Sequence, residues 1–181
     1  MITPILLLAA TMAMATPALS ANVDSIRQAA EKGSADAQFV LGAMHFKGDG
    51  VPQDYAEAAK WFLLAGEQGD SGAQNNLGLM YSIGKGVPFD RVEALNWYLK
   101  AADLGSSAAQ ENACRMLGAG DGVAVDLVQA YMWCTLAAAQ GQEHAEKILK
   151  KLTRLLAPGQ IAEAQARANR WKAKGNQAVS P

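Results

Sequence analysis

The chain has 181 residues, half of them hydrophobic, with 16 Lys and Arg against 17 Asp and Glu. That length defaults to one domain, and the apolar content is enough for a filled core and excludes general disorder. The near-neutral balance argues against a dedicated nucleic-acid binder, which normally carries a basic excess.

At the N-terminus, Ile5 to Ala15 form an apolar run of signal-peptide length, followed by Pro17 and the small-x-small sequence Ala18-Leu19-Ser20. These features predict a signal peptide over residues 1–20, a mature chain from about Ala21, and a periplasmic or secreted protein. No Lys or Arg precedes the run, a departure from the usual pattern. The run is too short to span a bilayer comfortably, so stable membrane insertion is not expected after cleavage; an uncleaved anchor is the alternative.

Gly33, Gly69, Gly105 and Gly141 stand 36 residues apart, and the sequence between them repeats without gaps. A fixed period of this size marks stacked supersecondary units. Each unit reads as helix–turn–helix. In the first helix Ala37, Val40, Leu41 and Met44 form an apolar stripe with helical spacing, echoed by Ala73, Leu77 and Met80 and by Ala109, Ala113 and Met116. Gly48-Asp49-Gly50, Gly84-Lys85-Gly86 and Gly120-Asp121-Gly122 then end the helix, with Val-Pro after the first two. Asp54/Glu57, Asp90/Glu93 and Asp126/Gln129 predict capping boxes at the start of the second helix. Trp61-Phe62, Trp97-Tyr98 and Trp133-Cys134 supply its bulk.

The segment AQNNLGLMYSIGKGVPFDRVEALNWYLKAA at 73–102 follows the pattern AQxxLGxMYxxGxGVPxD with AxxWYxxAA, and its counterpart at 37–66 does so with His45 for the tyrosine and Gly66 for the second alanine. This resembles the Sel-one-like repeat family, a relative of the tetratricopeptide repeat. The third copy departs from it, with Ala113-Cys114 for Leu-Gly, Leu117 for tyrosine and Cys134 for the second aromatic. The resemblance implies an all-α fold, a right-handed alpha-alpha superhelix (solenoid) of helix-turn-helix repeats. Full repeats are expected at 33–68, 69–104 and 105–140, with half repeats at 23–32 and 141–156. LAPGQIAEAQARANRW resembles a closing helix, expected at 159–173, with a flexible tail at 174–181. Such arrays need a terminal cap over their last apolar face.

Cys114 and Cys134 occupy positions that face each other in such a hairpin. In an oxidising compartment they are expected to pair; two buried thiols are the alternative, and too few partners share the spacing of a zinc site. His45 and His144 lie nearly three repeats apart, and neither they nor any Ser, Cys or carboxylate forms a recognisable catalytic set. The glycine turns recur at the repeat period and lack the third glycine and preceding strand of a dinucleotide motif. No cofactor or metal is expected.

In solenoids of this kind the first helices line the concave face. The positions left for a partner are then Phe39, Ala43 and Phe46, then Asn75, Leu79 and Ser82, then Glu111, Arg115 and Gly118, and last Lys147, Lys151 and Arg154; burial of Phe39 and Phe46 under the N-terminal half repeat, and a solvated helix face for the lysines, are the alternatives. This alignment predicts a groove apolar at one end and basic at the other, suited to a peptide with an apolar segment and an acidic or C-terminal carboxylate end. The resemblance implies a non-enzymatic protein- or peptide-binding scaffold. The alternative is a small secreted hydrolase or a protein that binds cell-wall precursors or β-lactams.

Overall fold

The computed structural model describes residues 17–178, and side chains over 22–172. The apolar run Ile5–Ala15 of the expected signal peptide, and residues 179–181 of the expected tail, lie outside the described residues. Among the described residues the chain forms nine helices and no strand, in an all-α repeat solenoid. α1 (Pro17–Glu31) packs on α2 (Ala35–Lys47), which forms a hairpin with α3 (Tyr55–Glu67). α4 (Ser71–Ile83) pairs with α5 (Arg91–Asp103), and α6 (Ser107–Ala119) with α7 (Leu127–Ala139). α8 (Glu143–Leu155) and α9 (Pro158–Ala178) complete the order. α9 continues to Ala178, past the end expected at 173.

Side-chain caps set the helix starts. The Ser34 hydroxyl, the Asp70 carboxylate and the Ser106 hydroxyl accept from the amides of Ala37, Ala73 and Ala109 at 3.3, 2.6 and 3.4 Å. Asp54 accepts from the amides of Ala56 and Glu57, Asp90 from Glu93, and Asp126 from Gln129. The Glu57 and Ala56 amides hold the Asp54 carboxyl below its ordinary range. The capping boxes are only half formed, however. The amides of Asp54, Asp90 and Asp126 donate across the turn to the carbonyls of His45, Tyr81 and Leu117 at 2.9, 3.0 and 3.1 Å, so the third residue has no donor to reach. Glu57 meets Lys60 instead, and Glu93 accepts from Asn96.

The two glycines of each turn do different things. Gly84 is left-handed at φ 65° and returns its amide to the Met80 carbonyl, closing α4. Gly86 leaves no room for a Cβ, because the backbone of Tyr55, at the start of the previous hairpin's second helix, lies against it. The turn therefore both ends a helix and seats the neighbouring hairpin.

Inside each hairpin the helices meet at one narrow point. A Cβ on Gly42 would lie 2.8 Å from the Phe62 ring, and one on Gly78 would lie 2.6 Å from the Tyr98 ring. Burial pushes the Tyr98 phenol up, partly offset by a hydrogen bond with Ser82. Trp97 reaches back to Gly66 of the preceding hairpin. Val40, expected in the core stripe, is 40% exposed; it stands where the next repeats carry Asn76 and Asn112.

A buried glutamine ties each hairpin to the helix before it. Gln38, Gln74 and Gln110 donate through Nε2 to the carbonyls of Ala30, Gly66 and Ala102 at 3.0, 2.8 and 3.1 Å. Gln68 and Gln140 in turn donate to the side-chain oxygens of Gln38 and Gln110 at 2.6 and 2.8 Å. Leu104 stands at the equivalent place in the middle repeat, and the buried Gln74 Oε1 has no partner.

The closing helix covers a different surface from the one a fourth repeat would use. α9 packs chiefly on α7. Ala164 and Ala168 are fully covered, and the Trp171 ring meets Trp133 edge-on at 6.2 Å while its Nε1 donates to Asp103 at 3.3 Å. The outer face of α7 is written for this: Met132 and Leu136 are buried, where the earlier repeats have Lys60 and Leu64, then Asn96 and Lys100, all exposed.

Two outcomes follow from this packing. Leu104→Gln should give Gln74 its missing donor and stabilise the protein by about 1 kcal/mol, the net value of one hydrogen bond, since Leu104 is itself 56% exposed. Urea unfolding measures this, and an unchanged or lower midpoint would refute the assignment. Met132→Lys with Leu136→Lys should release α9: amide exchange around Ala164 and Ala168 should become fast while α2 to α5 keep their protection.

Candidate binding face

First helices of neighbouring hairpins touch, α2 against α4 and α6 against α8, which puts them on the inner side of the curve. The polar contacts along that side agree. Asn112 donates to the Asn75 oxygen at 3.2 Å, and His144 lies 3.9 Å from Glu111.

The residues expected to line a groove separate into three groups. Phe39, Phe46 and Ser82 belong to the fold. Phe39 lies 5.9 Å from Phe62, ring centre to ring centre, and sits against Gly72 of the next hairpin. Phe46 packs on Tyr55 and Phe62 at 5.3 and 6.5 Å. Ser82 is buried and donates to the Leu79 carbonyl at 2.8 Å. The apolar end expected at the first repeat is a partly buried aromatic cluster, each ring half covered by its own hairpin partner. Asn75 and Glu111 are half-buried and tied up between helices; Leu79, Arg115, Lys147, Lys151 and Arg154 are exposed.

The open surface lies one turn further along. Between α6 and α8 runs a groove of about 210 Å³ floored by Gly118, Ala119, Ile148 and Leu152, with Leu155 at its edge and Arg115 and Lys151 beside it. Ile83, in the same row as Ala119 and Leu155, is 46% exposed, and Leu155 is 67% exposed. Sequence reasoning missed Ile83, Ala119, Ile148 and Leu155. The signal for Ile83, Ala119 and Leu155 was the recurrence of Lys47, Ile83, Ala119 and Leu155 at 36-residue spacing with no constant character.

Charge at the groove is basic. Asp121 pairs with Arg91 at 2.8 Å and reaches Arg115 only at 4.0 Å. Glu111 carries one buried oxygen without a partner. Among the described residues no group of three or more His, Cys, Asp or Glu could hold a metal ion, and no helix is long and apolar enough to cross a membrane.

The profile of the Sel1 repeat matches residues 35–70, 71–106 and 107–142, more than half of the chain, in the same 36-residue period as the glycines. The chain belongs to the Sel1 repeat family. A Sel1 repeat protein from Oxalobacter formigenes is 39% identical over 72% of this chain and 98% of its own, with a TM-score of 0.66. The protein c5321, a protective antigen of uropathogenic Escherichia coli strains with an SLR fold, is 28% identical over 88% of this chain and 36% of its own, with a TM-score of 0.75. No protein of curated function matches the chain. Sel1 repeats generally mediate protein–protein interaction, which supports a scaffold role.

Within the Sel1 frame the third repeat carries the one covalent departure. Cys114 and Cys134 are joined in a disulfide with their Cα atoms 5.3 Å apart, a normal spacing for such a bond. They replace the pairs Gly42–Phe62 and Gly78–Tyr98, so both partners of one contact change together. The bond closes a 20-residue separation, for which chain entropy alone gives about 3 kcal/mol. Reduction should therefore lower stability by about that amount, read by urea unfolding with and without dithiothreitol. The double variant Cys114→Gly with Cys134→Tyr, which restores the other repeats' contact and holds no cysteine, should fold and resist urea better than the reduced wild type. A double variant no more stable than the reduced wild type would refute the replacement.

Proposed function

We propose that this Sel1 repeat protein is a non-enzymatic scaffold that binds a protein or peptide along α4, α6 and α8, in the periplasm or outside the cell. The observation that carries the reading is the groove between α6 and α8, where an apolar floor lies open beside two cations. Exposed Leu79 and Ile83 extend the apolar row on α4. Interfaces of this kind combine an apolar centre with a charged rim. The disulfide supports an oxidising compartment, and the apolar run Ile5–Ala15 ahead of Ala18-Leu19-Ser20 supports export.

The test is capture from an envelope extract of the producing organism. The wild-type protein should retain a partner that the Leu79→Lys, Ile83→Lys variant loses, with both proteins melting at the same temperature. Identical captures, or none, would remove this face from the function. N-terminal sequencing of protein recovered from the periplasmic fraction tests export, with a start near Ala21 expected.

A further inference from the structure

We propose that the α6–α8 groove is a pocket for the free C-terminus of a partner, taking an apolar last residue and its carboxylate together. The inference rests on the scaffold reading and names the chemistry of what that scaffold grips.

Three observations carry it. The first is size. At about 210 Å³ the groove is smaller than the roughly 300–1,000 Å³ of pockets that take drug-sized ligands, so it suits a single side chain. The second is the wall. Gly118 presents no side chain, Ile148 and Leu152 form a floor, and Leu155 stands exposed at one edge. A site of this character favours an aliphatic or aromatic residue.

The third observation is charge. Arg115 on α6 and Lys151 on α8 both border this one groove from facing helices. Asp121 is already satisfied by Arg91 at 2.8 Å, so at 4.0 Å it neutralises Arg115 weakly. Lys151 has no carboxylate partner among the described ion pairs, and Lys147 and Arg154 flank it on the same helix, also exposed. Glu111 lies one turn before Arg115, turned toward His144. Two cations beside a pocket for one side chain match a group that presents an anion and an apolar side chain from the same Cα. A C-terminal residue does this. An internal Asp or Glu presents the anion at the end of the side chain itself and leaves the apolar floor unfilled. Arg adds a planar fork that suits a carboxylate.

The experiment uses the full mature chain and an array of random hexapeptides, each displayed with a free carboxylate and, in parallel, as the C-terminal amide. Peptides ending in Leu, Ile, Val or Phe should be enriched, and amidation should weaken them by tenfold or more, about the scale of one charge-assisted hydrogen bond. Arg115→Ala and Lys151→Ala should each give a similar loss. Ala119→Phe should block the groove from an exposed position. Gly118→Ala adds a methyl at ordinary contact distances, 3.6 Å from Ala130 and 3.9 Å from Leu152. It should fold at least as stably as wild type and still weaken binding, which separates groove filling from unfolding.

Enrichment that ignores amidation, or binding unchanged by Arg115→Ala and Lys151→Ala, overturns the proposal. If the envelope extract still yields a partner that depends on Leu79 and Ile83, the scaffold reading survives and only the C-terminal pocket fails. If neither peptides nor extract bind, both fail.

Discussion

Every hairpin depends on how closely its two helices approach at mid-length. Ridges and grooves of ordinary side chains hold helix axes 8–10 Å apart. Here the approach is set by removing one side chain altogether and laying a ring in the space. Gly42 receives Phe62, and Gly78 receives Tyr98, with no tolerance for even a methyl. In the third hairpin two cysteines occupy the same two places and bond. The contact is thus kept while its chemistry changes from packing to covalent. Next to this bond, Trp133 serves the following interface, where it meets Trp171, much as Trp97 reaches Gly66 in the hairpin without a bond.

A stack built this way has to stop. α8 stops it by composition. Glu146, Lys150 and Thr153 stand where the repeats place their buried glutamine, their glycine or cysteine, and His45, Tyr81 or Leu117, and all three are exposed. These three positions offer polar groups where a fourth second helix would pack, and α9 goes elsewhere. It goes to α7, whose Met132 and Leu136 are the two residues on that face that break the pattern of their counterparts. The end of the array is therefore specified twice, once by polar residues on α8 and once by apolar residues on α7.

What was legible in the sequence was local. The 36-residue period, the turn glycines and the Asp caps depend on residues within a few positions of one another, and they appear where the spacing predicts. The cysteine pairing was legible because both members of one contact depart together. The groove positions were less legible, for a physical reason. Which side of a first helix faces the concave surface depends on the rotation between successive hairpins, and no short window encodes that. Phe39 and Phe46 could thus be read either as groove positions or as buried, and Phe62 and Tyr55 pack on them, while Ser82 faces Tyr98. The same rotation exposes Val40. The capping boxes were overread because the competing acceptor, a carbonyl nine residues earlier across the turn, is invisible to a four-residue motif.

The scaffold rows and the open rows differ in how they vary. The row Gln38, Gln74, Gln110 is constant because each must satisfy a carbonyl of the preceding helix, and an unsatisfied buried group costs about 1–3 kcal/mol. The row Ala43, Leu79, Arg115, Lys151 has no such duty, and its last three members are exposed. It runs from apolar to cationic along the stack, and the adjoining row of Lys47, Ile83, Ala119 and Leu155 supplies apolar surface beside the cations. Packing places no demand for either charge at Arg115 or Lys151, and burial explains neither. The surface where the repeats cease to agree with one another is also the surface that α9 leaves uncovered, so the physical freedom to vary and the access needed by a partner coincide in the groove between α6 and α8.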